Sequence, residues 1–177
     1  SKFRNRCSYD VFMVCGNKKN DEVIHPAISF IATTGAIVHV GAKPVFSDVG
    51  IDGLLDPEKI ESKITSKTKA IMPVHWSGKM CNMAKIVEIC DSYGLVLIED
   101  AAQAIGAYYK GQHSGRYSLS AAFSCHPLKN LNALVASVIP SESKQIILLP
   151  VLTNTFLGKG QLIILPPFIN LDGIIKS

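Results

Sequence analysis

In the stretch "SAAFSCHPLKNLNAL", residues 120–134, one lysine, Lys129, follows five residues after Ser124. An amine held just past the end of a buried strand can condense with a carbonyl group. A second chemical feature sits upstream, where the apolar run "LVLIED" delivers Asp100 to its end and Gln103 follows three residues later. A carboxylate left there is costly unless a cation or a strong donor pairs with it. Each residue also has a plain reading. Lys129 could be a solvated loop lysine, Asp100 the N-cap of "AAQA", and Ser124 a hydroxyl bonded to nearby backbone.

The elements around these residues favour the chemical reading. "EVIHP" (22–26), "KPVFSDV" (43–49), "KAIMPVH" (69–75), "LVLIED" (95–100) and "SAAFS" (120–124) read as short buried strands. Between them lie helical segments. "FIATTGAIVHVG" (30–41) closes on Gly41, and "DPEKIESKI" (56–64) has Asp56 as N-cap and Pro57 at the first helical position. "NMAKIVEICDSYG" (82–94) puts Met83, Ile86, Val87 and Cys90 on one face and ends on Gly94. A polar, hairpin-like stretch with Gly111 and Gly115 precedes the last strand. Strands alternating with helices predict an α/β fold, a mainly parallel sheet with helices on both faces. In such sheets ligands gather at the carboxyl ends of the strands. Asp100, Ser124 and Lys129 all belong to that edge.

Composition narrows the class. The chain has 177 residues, 47% apolar and 18% charged, enough for one sizeable core. A net charge of +4, spread along the chain, does not form the concentrated basic face that nucleic acid requires. Five cysteines without a CxxC pair suggest reduced thiols in a cytoplasmic setting rather than disulfides or zinc. The histidines show no metal-ligand spacing. The apolar runs "IILLPVL" and "LIILPPFI" are shorter than the roughly 20 residues that span a bilayer, so no membrane segment is expected.

A lysine, a carboxylate and a hydroxyl on neighbouring strand ends are the set a pyridoxal 5'-phosphate site needs. The lysine forms a Schiff base, the acid keeps the pyridine nitrogen protonated, and the hydroxyl helps hold the phosphate. At these residues the chain resembles a known family. "DEVIHPAISFIATTGAIVHVGAKPVFSDV", "TKAIMPVHWSG", "LIEDAAQAIGAYYKG" and "AAFSCHPLKNLNAL" are similar to the DegT/DnrJ/EryC1/StrS sugar aminotransferases, with "EDAAQA" followed by "FSxxxxK" the most specific pairing. The resemblance implies the large domain of a fold-type-I pyridoxal-phosphate transferase, here incomplete. It implies Lys129 as the Schiff-base residue, Asp100 on the pyridine nitrogen, Gln103 on the phenolic oxygen, Ser124 on the phosphate and Phe30 stacked on the ring. His75 in "PVHWSG" is a weak substrate candidate and equally a packed, hydrogen-bonded histidine. A lysine rather than a histidine at 129 points to transamination and away from the family's dehydrating branch.

The implied reaction transfers an amino group, with glutamate as the expected donor, to a nucleotide-linked keto-sugar, in a homodimer. The family pattern covers 21–134. Residues 1–20 and the apolar tail 135–177 depart from it, which leads us to expect a truncated product or a shifted reading frame, and an impaired chain. A non-catalytic remnant and a pyridoxal-phosphate sugar dehydratase or lyase are the alternatives.

Overall fold

The computed structural model describes residues 20–124 in full and the backbone of three further strands, 135–140, 149–151 and 160–163. Five strands build the part of the sheet that matters for the site. They are β1 (Glu22–Pro26), β2 (Lys43–Ser47), β3 (Thr68–Ile71), β4 (Val96–Asp100) and β7 (Ser120–Phe123). A short hairpin, β5 (Tyr108–Tyr109) and β6 (Gln112–His113), lies between the last two. The sheet order is β2-β1-β3-β4-β7, continued by β8 (Val135–Pro140), β10 (Gly160–Ile163) and β9 (Leu149–Val151). All pairings from β2 to β7 are parallel, whereas β8 runs antiparallel to β7.

Parallel neighbours need crossovers, and the sequence supplies their starts and stops. Helix α1 (Ile31–His39) links β1 to β2, and the chain then reverses at Gly41, whose φ of 79° is left-handed. Helix α2 (Pro57–Ile60) begins as expected, with the Asp56 carboxylate accepting from the Glu58 N–H at 3.0 Å, and tightens into a 3₁₀ turn over Glu61–Lys63. Helix α3 (Met83–Tyr93) is capped by the Asn82 side chain and ends on left-handed Gly94, whose N–H bonds to the Cys90 carbonyl.

Alternation along the strands sorts the core into two layers. Val23, Ala70, Met72 and Ile98 pack with Ala36 and Ile37 of α1. Ile24, Ile71 and Leu97 pack on the other face with Ile60 and with Met83, Ile86, Ile89 and Cys90 of α3. Each of the buried isoleucines contributes roughly 1.5–3 kcal/mol of burial. The α3 face differs from the sequence reading at one position. Ile89 is buried, and Val87 packs only partly against the cluster.

The strand read at 69–75 is shorter in the structure. Regular pairing stops at Ile71, because Pro73 has no N–H to donate, and Val74 rejoins β4 through a single bridge to Asp100. His25 on β1 has a fully buried ring 4.6 Å from that of Phe46. Neither of its nitrogens has a hydrogen-bond partner among the described residues. Burial pushes this imidazole down from 6.5 to about 4.

Candidate functional site

The site grows from the carboxyl end of β4. Asp100 is nearly buried, and its two carboxylate oxygens are held from different directions. Oδ1 accepts from the Ala102 N–H at 3.1 Å, an Asx-type turn that starts the "AAQA" segment. Oδ2 accepts from Thr33 Oγ1 at 2.6 Å, and Thr33 in turn accepts from Ser29 Oγ at 2.6 Å. The capping role and a chemical role therefore coexist, because each oxygen of an ionised carboxylate keeps a further acceptor position. Thr33 lies on the buried side of α1, which covers this face of the sheet.

Gln103 is fixed by its amide oxygen, which accepts from the Ser77 N–H at 3.1 Å. That bond assigns the amide oxygen as the acceptor and leaves its NH₂ as a donor. The Ser77 N–H is available because the 3₁₀ turn Trp76–Gly78 is sharply bent, with Ser77 at φ 55° and Gly78 at φ 82°. A Cβ at Gly78 would stand 3.1 Å from the Gln103 carbonyl, so a glycine permits this close approach.

Strands β4 and β7 end side by side, with Asp100 paired to Ala122. Ser124 directly follows Phe123, the last residue of β7, two residues on from Ala122. Phe30, the residue before α1, is half exposed, three positions from Thr33. Asp100, Gln103, Ser124 and Phe30 thus gather around one sheet edge. Lys129 lies outside the described residues.

His75 has another setting. Its ring is fully buried, Nδ1 accepts from the Cys81 N–H at 3.3 Å, and Nε2 lies 2.9 Å from Glu99 Oε2. These bonds assign the Nε2–H tautomer and use both ring nitrogens, in keeping with the packed histidine that was the second reading of this residue.

The sequence reading passed over two residues here, Thr33 and Glu99. Glu99 is fully buried on the face of β4 opposite Asp100. Besides His75 it accepts from the N–H groups of Gly115 (2.8 Å) and Tyr117 (3.2 Å) and from Ser118 Oγ (2.7 Å). Burial alone would raise its pKa, but the bonds from His75, Gly115 and Ser118 outweigh it and hold the carboxyl below the usual glutamate value.

This set could hold a cofactor that presents a hydrogen-bond donor, an acceptor and a flat apolar face. Asp100 offers an anchored acceptor, Gln103 an amide donor, Ser124 a hydroxyl and Phe30 an aromatic face. No group of three or more metal-ligating side chains occurs among the described residues, and no described helix is long and apolar enough to cross a membrane.

Comparison with known proteins identifies the family and the fold. The model of the DegT/DnrJ/EryC1/StrS aminotransferase family matches residues 10–137. A pleiotropic regulatory protein of Geobacillus stearothermophilus is 50% identical over 114 residues, which are 64% of this chain and 31% of that protein. Among solved structures, DesV of S. venezuelae in complex with a ketimine intermediate is 37% identical with a TM-score of 0.74, over 77% of this chain and 38% of its own. NtdA of Bacillus subtilis with bound cofactor PMP is 34% identical with a TM-score of 0.73, over 78% of this chain and 32% of its own. The chain spans about a third of the length of these relatives. Its sheet and helices match those of the two solved enzymes, and the chain belongs to the DegT/DnrJ/EryC1/StrS aminotransferase family.

Proposed function

We propose that this chain carries the cofactor-holding core of a pyridoxal-phosphate-dependent aminotransferase acting on a nucleotide-linked keto-sugar, with glutamate as the amino donor. The observation that carries the reading is the Asp100 carboxylate, buried at a strand end and anchored by Thr33 and Ala102, beside a Gln103 amide of fixed orientation. When bound, the cofactor supplies an electron sink for the carbon that loses or gains a proton.

The chain's residues divide the remaining work. Asp100, kept in place by two donors, accepts a ring N–H and holds that proton on the nitrogen. Gln103 donates its Nε2–H to the adjacent ring oxygen, because its own oxygen is committed to Ser77. Ser124 binds the phosphate, and Phe30 covers a ring face and excludes water. Lys129 would hold the cofactor through its amine, and that amine would be the group placed to move a proton at the substrate carbon. The resemblance of "FSCHPLK" to the family's lysine segment supports its part. His75 acts beneath the site and not on substrate.

The reading includes self-association. Ile28, Phe30, Ile31, Val38 and Phe46, on or beside α1 and β2, are large apolar side chains exposed in the single chain, and a second subunit would cover such a surface.

Addition of pyridoxal phosphate, reduction with borohydride and mapping of the modified peptide test the assignment. The expected product is a single label on Lys129. A stable label on another lysine with Lys129 untouched refutes it. Product analysis with a keto-sugar and glutamate separates amino transfer from dehydration.

A further inference from the structure

Glu99 is the most heavily bonded side chain near the site, yet it faces away from it. Four donors from two segments converge on its carboxylate. One segment is the loop Gly115–Ser118, which leads into β7 and so to Ser124. Another is His75, at the start of the turn that carries Ser77. His75 is tied to the site twice over. Its backbone N–H donates to the Asp100 carbonyl at 3.0 Å, and its carbonyl accepts from the Gly78 N–H at 3.2 Å, closing the bend that aims the Ser77 N–H at Gln103. Glu99 itself belongs to β4, whose next residue is Asp100.

We propose that Glu99 is a positioning residue of the cofactor site, fixing Gln103 through His75 and the Trp76–Gly78 turn, and Ser124 through the Gly115–Ser118 loop. It rests on the function proposed above for what the site holds, but the mechanical link stands on the protein alone. A single buried carboxylate ties the segment after β3 and the loop before β7 to β4, so loss of its acceptors frees these segments from one another. A merely space-filling role would predict a uniform loss of stability instead.

The test uses the full 177-residue chain without added cofactor and reads amide hydrogen exchange residue by residue. In Glu99→Gln, the Ser77 and Gly115 amides exchange at least about tenfold faster while the amides of β1 and β2 keep their rates. His75→Leu accelerates Ser77 in the same way, and His75→Gln, which keeps a donor near the Nε2 position, brings it back to within about twofold. An unchanged Ser77 in both Glu99→Gln and His75→Leu overturns the proposal, and so does an equal acceleration of all protected amides. A second arm adds pyridoxal phosphate and follows the visible absorbance of the bound cofactor, expected to need about tenfold more cofactor in Glu99→Gln. A wild-type chain that takes up none overturns the proposed function, while the exchange pattern still decides the role of Glu99.

Discussion

His25 gives a prediction whose size can be worked from the structure. Its ring is fully buried, and both nitrogens are unpartnered among the described residues. Burial disfavours the charged form and pushes the imidazole down from 6.5 to about 4. The unfolded chain therefore binds a proton below pH 6.5 that the folded chain refuses until about pH 4. Stability depends on pH through the difference in bound protons, so it falls as the pH drops across this window and levels off below it. The full span corresponds to about 3 kcal/mol at 1.36 kcal/mol per unit, of which about 2 kcal/mol is lost at pH 5. His25→Val, close in volume and apolar, removes the proton and the penalty. Urea unfolding of both chains at pH 7.5 and pH 5, at constant ionic strength, measures the effect. The difference in unfolding free energy between wild type and variant should change by about 2 kcal/mol between the two pH values. Parallel behaviour of the two chains refutes the reasoning, as does an NMR titration placing the His25 ring near 6.5 in the folded state.

Other substitutions probe the site and its frame. Thr33→Val keeps the shape of α1 but deletes one hydrogen bond to a charged oxygen, a loss of roughly 1.5–3 kcal/mol. It should weaken cofactor uptake, followed by absorbance, while leaving the far-ultraviolet dichroism unchanged. Two left-handed glycines should respond differently. Gly94→Ala meets open space, so only the backbone cost of roughly 1 kcal/mol is expected from thermal unfolding. Gly115→Ala would bring a Cβ to 3.0 Å from the Phe123 ring and displace an N–H that serves Glu99, so it should lower the unfolding temperature far more.

Much of this architecture was legible in the sequence because its signals are local. "LVLIED" is an unbroken apolar run, Asp56-Pro57 and Asn82 are helix starts, and Gly94 is a stop. Asp100 and Ser124 could be placed at strand ends from signals of this kind, whereas the role of Gln103 came from the family resemblance. The misses depend on which way a side chain faces. Two adjacent acids end β4, and alternation sends Asp100 toward α1 and Glu99 beneath the sheet, where a carboxylate must find several donors. That argument was open to sequence reasoning, although its partners were not. Gly115, Tyr117 and Ser118 become neighbours of Glu99 only through the loop that folds back before β7. Thr33 escaped for the same reason, since a threonine inside a helix announces nothing until the strand it covers is known.

Cys81 and Cys90, the latter on the buried face of α3, lie in the core cluster between that helix and the sheet, and burial pushes both thiols up to about 12. A thiol reagent attacks the thiolate, and it must also reach the sulfur. Each cysteine is therefore silent while the α3 layer is seated and reacts only during an excursion that lifts it. In a chain whose Cys7, Cys15 and Cys125 are replaced by serine, the labelling rates at 81 and 90 become a clock for that excursion. If cofactor slows the clock, binding at the upper edge of the sheet restrains a helix on its far face.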